Sequence, residues 1–357
     1  MNSLRLSSSV VEVDRGNPFE IVRVVEEELV APGPGEVVVE VERFSIATNN
    51  LGYALLGDVL GFWKAFPAAP GWGRPPVWGL ARVVAADLEL AHIGTQLTGF
   101  LPMGTHATVR AQPDESGIVS DDVGRRDLLP FYRRLTVTDT DPHDDVAVAL
   151  LHVIPFAGVL AADLLNRGAT HVVLSSASSR SAAALARLLT QAGVETTGLT
   201  STHHQDATKT MAAYTRVVTY EEMSEDLASG LDVIYVDVAG SSNVTSTVHR
   251  LLGNRLAESV VVGGTHVRQL PDQSAASPLP GPAPVQFSTG DREQEIADES
   301  GHHTVIELNR RARAELVPWA AGWLRIRQLK GVASAADLWR ETARGHSDPL
   351  TATVVLP

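Results

Sequence analysis

The sequence predicts a two-domain α/β protein, in which a strand-rich domain accompanies a doubly wound parallel sheet. Three observations support this prediction. The chain has 357 residues, which is long enough for two domains. Short β-branched runs separated by Gly and Pro fill the first third. From Val146 onward strand and helix patterns alternate, which is typical of parallel βαβ units.

The composition excludes several classes of protein. Asp and Glu outnumber Lys and Arg by 42 to 29, and the formal net charge is −13. This charge argues against binding to nucleic acid, which would need a basic face. It contains no cysteine, which excludes disulfides, thiolate zinc sites and cysteine nucleophiles. No apolar segment follows a basic flank at the start of the chain, so we expect a cytoplasmic protein.

One nearly uncharged stretch, residues 146–162, reaches the lower limit of a membrane-spanning length. It contains His152, Pro155 and Gly158, and Asp163 follows it directly. We therefore expect a buried helix and no contact with a membrane.

The predicted elements follow one another along the chain. In the first third, strands are predicted at residues 10–13, 21–25, 37–42, 77–85 and 93–100, which suggests a small barrel or sandwich. In the middle, strands are predicted at 172–175, 196–199, 216–219, 233–238 and 259–263, and helices at 146–166, 181–192, 207–214, 221–228 and 243–252. Helices at 305–323 and 336–344 precede a final strand at 352–356, which we expect to return to the sheet of the first domain.

The turn after the strand at 172–175 is the most informative stretch. Ser176, Ser178 and Ser181 keep the spacing of the G-x-G-x-x-G fingerprint, with all three glycines replaced. Together with Ser179 they open a helix of the kind that places a pyrophosphate on its N-terminus. Arg180 adds a fixed positive charge there. The alternative is a serine-capped helix without a ligand, since Ser is a preferred capping residue.

The residues after the next strand bear on which dinucleotide would fit. Ser201, Thr202, His203 and His204 stand there, and no carboxylate follows until Asp206. NAD usually meets an Asp or Glu at this place, on the ribose hydroxyls. Hydroxyls and imidazoles tolerate a 2′-phosphate better, which favours NADP(H). Alternatively, the two histidines are solvated loop residues.

Several segments resemble the medium-chain dehydrogenases and reductases. Residues 32–41, PGPGEVVVEV, resemble the opening of their GroES-like domain. Residues 44–50, FSIATNN, stand where those enzymes place a loop that lines the active cleft. Gly94 and Gly99 have the spacing of their G-x-x-V-x-G turn. The βαβ half and the final strand also follow in the order of that superfamily.

Further segments resemble one divergent branch of this superfamily, a domain-of-unknown-function family of reductase-like proteins. The resemblance implies a GroES-like catalytic domain at residues 1–130, completed by 305–357, and a Rossmann-like nucleotide-binding domain at 131–304. It also implies a homodimer that pairs the edges of two Rossmann sheets. The segments are 49–54 (NNLGYA), 57–58 (GD), 61–63 (GFW), 76–79 (PVWG), 174–180 (LSSASSR), 235–240 (YVDVAG) and 262–266 (VGGTH).

The chain departs from the zinc-dependent members of the superfamily. Those enzymes need a thiolate in the cleft loop, which Thr48, Asn49 and Asn50 do not supply. Where they carry a Gly-His-Glu run, this chain has Val77-Trp78-Gly79. The resemblance therefore points to the zinc-free quinone, enoyl and carbonyl reductases, and no metal site is expected.

A zinc-free reduction needs a hydride from NADPH, a donor for the developing oxyanion and a source of a proton. Asn50 is the candidate amide donor, Tyr53 the candidate proton donor and His266 a candidate proton relay. Gly240 and Gly264 follow strands at the edge where the cofactor would bind, and a glycine there lets the backbone approach it. The alternatives are a half-buried aromatic for Tyr53 and a structurally bonded loop residue for His266.

Four aromatic residues, Phe62, Trp63, Phe66 and Trp78, either form an apolar substrate wall or fill core space. We expect at least two of them to fill the core. Taken together, the residues predict a zinc-independent, NADPH-dependent reductase of a small or medium carbonyl, enoyl or quinone-like compound. The alternative is a repurposed scaffold, since loss of the fingerprint glycines also fits a cofactor-independent lyase or hydrolase, or a non-catalytic binding protein.

Overall fold

A computed structural model describes residues 5–87, 92–141, 143–228, 230, 232–262, 279–345 and 348–357. The chain divides into two compact units. Unit 1 consists of Met1–Leu151 and Arg325–Pro357, and unit 2 of His152–Leu324.

The first stretch of unit 1 is built mainly of strands. Its strands are β1 (Arg5–Asp14), β2 (Val22–Val30), β3 (Glu36–Ser45), β4 (Trp72–Gly73), β5 (Pro76–Ala86), β6 (Gln96–Pro102), β7 (His106–Asp114), β8 (Gly117–Ser120) and β9 (Arg134–Val137). Its helices are α1 (Thr48–Leu55), α2 (Phe62–Ala65), α3 (Pro130–Arg133) and α4 (Asp145–Ala149).

Unit 2 alternates strands and helices. Its strands are β10 (His171–Leu174), β11 (Glu195–Thr200), β12 (Arg216–Thr219), β13 (Val233–Asp237), β14 (Leu256–Val261) and β15 (Val285–Gln286). Its helices are α5 (Val153–Asn166), α6 (Arg180–Gln191), α7 (Gln205–Thr210), α8 (Ser242–Leu252), α9 (Thr289–Ser300) and α10 (His302–Ala321). Short 3-10 helices cover Thr202–His204, Tyr220–Glu222 and Gly253–Arg255.

The chain then returns to unit 1 with β16 (Arg325–Lys330), α11 (Val332–Ala343) and β17 (Thr351–Leu356). β17 pairs in parallel with β16 and antiparallel with β3. The expected return of the final strand to the first sheet is therefore confirmed.

A closed antiparallel barrel forms the centre of unit 1. β3, β5, β6, β9, β8 and β7 pair in that order, and β7 pairs again with β3. The barrel buries the apolar face of β3, where Val37, Val38 and Val39 have no exposed surface. β2, β1 and β4 form a separate three-stranded sheet.

The sheet of unit 2 is parallel throughout and has the strand order β12-β11-β10-β13-β14-β15. Val172, Val173 and Leu174 of β10 are fully buried. A strand that is apolar on both faces is what a sheet covered by helices on both sides requires.

Three predicted elements differ from the structure. The uncharged stretch 146–162 is divided between α4 and α5, and no helix of the described chain is long and apolar enough to cross a bilayer. The helix predicted at 207–214 is shorter, because Ala212 adopts a φ of 50°. In place of a helix at 221–228 there is one short 3-10 turn, where Thr219 Oγ1 donates to Glu222 Oε2 at 2.9 Å.

The limits of the two units differ from the sequence-based boundaries near 130 and 305. Residues just before His152 stay with unit 1, because Asp145 of α4 pairs with Arg43 of β3 at 2.6 Å. α10 belongs to unit 2, because Gly158 of α5 lets α10 approach closely. A Cβ atom at Gly158 would lie only 3.0 Å from the Cβ of Ala312.

Candidate functional site

The strand order of unit 2 indicates where a ligand would bind. Strands β10 to β12 extend in one direction from the middle of the sheet, and strands β13 to β15 extend in the other. In open α/β sheets, ligands bind beyond the carboxyl ends of the strands at such a switch point. The residues that follow Leu174 of β10 and Asp237 of β13 therefore form the candidate site.

The turn after β10 keeps the geometry that the glycine fingerprint usually needs. Ser176 has a φ of 51°, in the left-handed region that residues other than glycine rarely adopt. Ser179 caps α6, because its Oγ accepts a hydrogen bond from the backbone N–H of Ala182 at 3.2 Å. A strained residue followed by a capped helix suits a turn that binds phosphate.

The backbone N–H groups of this turn fall into two sets. Ser176 donates to the Tyr220 hydroxyl at 2.9 Å, and Ala177 donates to the Leu199 carbonyl at 2.9 Å. Within the described part of the chain, the N–H groups of Ser178 and Ser181 make no hydrogen bond. These two donors, at the start of α6, are available to the oxygens of a phosphate.

Arg180 places a positive charge at the same end of α6. Burial lowers the pKa of its half-buried guanidinium to about 10, so the group remains charged at neutral pH. Burial and the charge of Arg180 together lower the pKa of His152 to about 3, which keeps this imidazole neutral. The net charge of the pair is positive, which favours an anion beside the turn.

A buried hydrogen-bond network holds the base of the turn. Ser175 Oγ donates to Asp237 Oδ1 at 2.8 Å and accepts from the N–H groups of Val238 and Ala239, both at 2.9 Å. Asp237 is 4% exposed and also accepts from the N–H of Gly240 at 3.0 Å. Buried polar groups are stable when they are hydrogen-bonded, so this network ties the end of β10 to the end of β13.

Two glycines are predicted to lie beside the cofactor. Gly240 has a φ of 68°, so its position favours glycine. Gly264 and the candidate proton relay His266 lie outside the described residues. Their roles stay predictions.

The end of β11 brings Ser201 and Thr202 close to a carboxylate. Ser201 Oγ lies 3.3 Å from His204 Nδ1, and Thr202 Oγ1 donates to Glu221 Oε2 at 3.0 Å. Hydrogen bonds from its own backbone and from Thr202 lower the pKa of Glu221, so it is ionised at neutral pH. This contact could not be predicted from the residues that follow β11, because Glu221 lies further along the chain, after β12.

In unit 1, α1 carries the two predicted catalytic residues. The half-buried Tyr53 accepts a hydrogen bond from Asn49 Nδ2 at 3.3 Å, and burial raises the pKa of its hydroxyl. Asn50 is 2% exposed. Its Nδ2 donates to the Pro76 carbonyl at 3.0 Å, and its Oδ1 accepts from the Ala47 N–H at 2.8 Å. Tyr53 is thus a protonated donor, whereas the Asn50 amide is already used to hold the start of α1.

The four aromatic residues considered for a substrate wall differ in their burial. Phe62, Trp63 and Phe66 are buried, whereas Trp78 keeps part of its side chain exposed. The Trp78 ring lies 5.5 Å from the ring of Phe100. Of the four, Trp78 is the side chain best placed to touch a ligand.

A separate cavity of about 560 Å³ lies at the opposite edge of the unit 2 sheet, near the amino ends of β10 and β11. His171 lines it, with Nδ1 3.2 Å from Glu195 Oε2 and Nε2 3.0 Å from Thr197 Oγ1. Since dinucleotides bind beyond the carboxyl ends of the strands, this cavity is not part of the candidate site. In the described ranges, no group of three or more His, Cys, Asp or Glu side chains is arranged to hold a metal ion.

A family profile described as "Protein of unknown function (DUF2855)" matches residues 44–348, which is most of the chain. The chain belongs to the DUF2855 family. The match includes Tyr53 as well as the serine-lined turn after β10. The curated proteins contain no match to this DUF2855 chain.

Solved structures show which fold the DUF2855 chain has. CurA from Vibrio vulnificus, in complex with NADPH, is 14% identical with a TM-score of 0.63, over 98% of this chain and 99% of that one. A quinone oxidoreductase from Pseudomonas syringae pv. tomato DC3000 is 15% identical with a TM-score of 0.63, over 98% and 100%. A variant of Etr1p, in complex with NADP and crotonyl-CoA, is 10% identical with a TM-score of 0.60, over 99% and 100%.

These likenesses establish the fold. The DUF2855 chain shares the fold of these solved structures, with a GroES-like barrel in unit 1 and a Rossmann-type parallel sheet in unit 2. The fold class and the resemblance predicted from the sequence are confirmed.

Proposed function

We propose that this DUF2855 protein is a zinc-independent reductase that uses NADP(H) to reduce a small or medium carbonyl, enoyl or quinone-like compound. One observation carries the proposal: a left-handed Ser176, a capped α6 and two available N–H groups stand at the switch point of a parallel sheet. Two proteins of similar fold, in complexes with NADPH and with NADP, support the choice of cofactor.

The residues present fit a dinucleotide. The N–H groups of Ser178 and Ser181 and the charge of Arg180 would hold the pyrophosphate, and Ser179 would keep the helix end in place. Ser201 and Thr202 would meet the adenosine ribose, while Gly240, and Gly264 as a sequence-based prediction, would allow close approach of the backbone. When bound, a reduced nicotinamide supplies a hydride.

The protein's own residues would supply the proton and the polarisation. A tyrosine hydroxyl is protonated at neutral pH, so Tyr53 has a proton to give as a general acid, while burial raises its pKa and makes it a weaker acid. The chain has no cysteine, so a substrate carbonyl would be polarised by hydrogen-bond donors in place of a thiolate-bound zinc. Asn50 acts in this proposal by holding α1, and through it Tyr53, in position. His266 stays a predicted proton relay.

A calorimetric titration with NADPH, NADP⁺ and NADH tests the proposal, followed by an assay of NADPH oxidation with quinones, enals and enones. We expect binding of a dinucleotide, and Arg180→Ala should weaken it by roughly 1–3 kcal/mol because a charged contact to phosphate is lost. The matched control is Arg187→Ala on the same helix, where Arg187 pairs with Glu315 at 2.6 Å. If none of the three nucleotides binds, the proposal is refuted.

A second candidate function also has an observation in its favour. The Tyr220 hydroxyl already accepts the N–H of Ser176 at 2.9 Å, so one donor of the turn is used inside the protein. A scaffold that had lost its cofactor and become a lyase, hydrolase or binding protein could keep such a contact. Tyr220→Phe separates the two, because a working nucleotide site should bind at least as tightly once this donor is released.

A further inference from the structure

The serine-lined turn after β10 is held by a tyrosine hydroxyl that the proposed function does not use. Tyr214 stands just before β12, and its hydroxyl donates a hydrogen bond to the carbonyl of Ala177 at 2.9 Å. Burial raises the pKa of this hydroxyl well above its usual value, so it keeps its proton at neutral pH. Ala177 has no exposed surface, and its N–H donates to the Leu199 carbonyl at 2.9 Å. Both backbone polar groups of Ala177 are therefore fixed.

The Ala177 carbonyl matters because of the group at the other end of its peptide bond. A trans peptide unit is planar, so its C=O and its N–H point in opposite directions, and no peptide bond of the described chain is cis. The N–H in the same plane belongs to Ser178 and is one of the two donors available to a phosphate. Tyr214 therefore fixes the direction of this donor. By polarising the carbonyl, it also strengthens the N–H as a donor.

A glycine in β11 makes room for this contact. A Cβ atom at Gly198 would lie 2.8 Å from the Tyr214 ring and 2.8 Å from the Cβ of Ala177. A larger residue at position 198 would push the ring and the turn apart. The two therefore meet over the β11 backbone, in a space that glycine leaves open.

The segment 211–215, which carries Tyr214, is itself held on two sides. Trp319 Nε1 of α10 donates to the carbonyl of Met211 at 2.7 Å. Thr190 Oγ1 of α6 donates to the carbonyl of Ala213 at 3.0 Å. Because the serine-lined turn opens α6, the tyrosine is tied to the helix whose N-terminus would receive the phosphate.

Two tyrosine hydroxyls hold the strained part of the turn. Ser176 has a φ of 51°, and such a conformation persists only when the surrounding structure enforces it. The Tyr220 hydroxyl accepts the N–H of Ser176 at 2.9 Å, while Tyr214 holds the carbonyl of the next residue. The two contacts differ in their effect on a phosphate, since Tyr220 occupies a donor of the turn and Tyr214 orients one that stays available.

We propose that Tyr214 is a positioning residue for the cofactor: its hydroxyl holds the Ala177 carbonyl and thereby aims the Ser178 N–H at the pyrophosphate. The inference rests on the proposed NADP(H)-dependent function. It assigns to Tyr214 a part of the support that the turn needs in the absence of the fingerprint glycines.

The test compares two ligands by calorimetry. NADP⁺ contains a pyrophosphate, whereas adenosine 2′-monophosphate keeps the adenosine and the 2′-phosphate without it. We expect Tyr214→Phe to weaken NADP⁺ binding about three- to tenfold, the range of one hydrogen bond. Binding of adenosine 2′-monophosphate should not change, because that ligand does not reach the Ser178 N–H.

Tyr220→Phe is the matched control, because it removes the same group from the other bond to the same turn. It releases the Ser176 N–H and should bind NADP⁺ at least as tightly as the wild-type protein. If the tyrosine hydroxyls were merely structural, both changes would weaken binding. Opposite directions for the two variants therefore support the inference.

If Tyr214→Phe does not fold, Trp319→Phe replaces it, since it keeps the tyrosine but removes the bond to Met211. It should weaken NADP⁺ binding at least about twofold and leave adenosine 2′-monophosphate unchanged. Unaltered NADP⁺ affinity in the variant used, or an equal loss for both ligands, would overturn the inference and leave the reductase standing. A wild-type protein that binds neither ligand would refute both.

Discussion

Ser176 shows that the serine-lined turn has kept the backbone geometry of a glycine turn. A serine with a φ of 51° costs roughly 1–2 kcal/mol relative to an ordinary conformation. The fold maintains this cost at the first position of the fingerprint, where glycine would avoid it. Strain kept at a candidate binding turn indicates a geometry that the site needs.

Replacing this serine should therefore stabilise the protein. We expect Ser176→Gly to raise the free energy of unfolding by about 0.5–1 kcal/mol, because glycine adopts a positive φ without strain. Urea denaturation measures the change. Ser178→Gly is the matched control and should lower stability by a similar amount, since its φ is not positive. A loss of stability in Ser176→Gly would show that contacts of the serine side chain outweigh the strain.

Glu221 is the residue that should decide between the two nicotinamide cofactors. Its ionised carboxylate bonds to Thr202 at 3.0 Å, near the place where a 2′-phosphate would lie, and like charges repel. We expect Glu221→Gln to shift the ratio of NADPH to NADH affinity in favour of NADPH. Calorimetric titration with both nucleotides measures this ratio. Asp206→Asn, at the carboxylate nearest in sequence, is the control, and an unchanged ratio in Glu221→Gln would place the ribose elsewhere.

His152 should make the protein sensitive to acid. Burial and Arg180 lower its pKa to about 3, while in the unfolded chain a histidine titrates near pH 6.5. Between these values the unfolded chain binds a proton that the folded chain does not, so stability falls as the pH is lowered through this window. The slope is up to about 1.4 kcal/mol per pH unit. His152→Gln should flatten the stability curve between pH 6.5 and 4, measured by urea unfolding, whereas the exposed His303→Gln serves as control. An unaltered stability curve in His152→Gln would show that the pKa of His152 is not lowered in the folded protein.

At the scale of elements, the small helix α2 is held by a tryptophan that fits between two glycines. A Cβ atom at Gly57 would lie 2.1 Å from the Trp63 ring, and one at Gly73 of β4 would lie 2.6 Å from it. Trp63 is 4% exposed. This side chain therefore joins α2 to β4 as part of the core.

Overpacking this contact should destabilise unit 1. We expect Gly57→Ala to cost about 1–3 kcal/mol, because the ring must move to admit a methyl group. Gly52→Ala in α1 is the matched control, since nothing lies within 4 Å of its added carbon, and it should stabilise the helix by about 0.5–1 kcal/mol. Thermal and urea denaturation distinguish the two. Equal effects of both changes would show that Trp63 is loosely packed.

The elements that the sequence predicted well have strong local signals, and the missed ones depend on distant partners. The apolar strand β10 and the helix after it are visible in their pattern alone. β7 and β8 were not predicted, because they have polar outer faces and their inner faces are buried only when the barrel closes onto β3. The 3-10 turn after β12 was also missed, because its form depends on the bond between Thr219 and Glu222.

At the scale of the whole molecule, β15 is one of the two edge strands of the unit 2 sheet, and the resemblance implies pairing of such edges in a homodimer. Val285 on this strand is 66% exposed. We expect light scattering to give twice the chain mass of 38.1 kDa. Val285→Asp should give the mass of one chain, because a charge at an edge opposes strand pairing. Val59→Asp, at a residue 81% exposed in unit 1, is the control, and a single-chain mass for the wild-type protein would refute the dimer.

The candidate site was predicted in part, because its residues come from both local and distant positions. The turn at Ser176 and the charge of Arg180 were visible in a short segment. The contacts from Tyr220 and Glu221 were not, because they arrive from the end of β12 across the sheet.

The position of β17 has a consequence for how the protein is made. Its residues Thr351–Leu356 lie between β16 and β3, so a strand that follows unit 2 in the chain occupies an interior place in the sheet of unit 1. Unit 2 is one continuous stretch of chain and can begin to fold while synthesis continues. One edge of β3 stays unpaired until β17 has been synthesised, and an unpaired strand edge favours aggregation. The strands of unit 1 that precede unit 2 are therefore the part of the nascent chain that is exposed longest to aggregation.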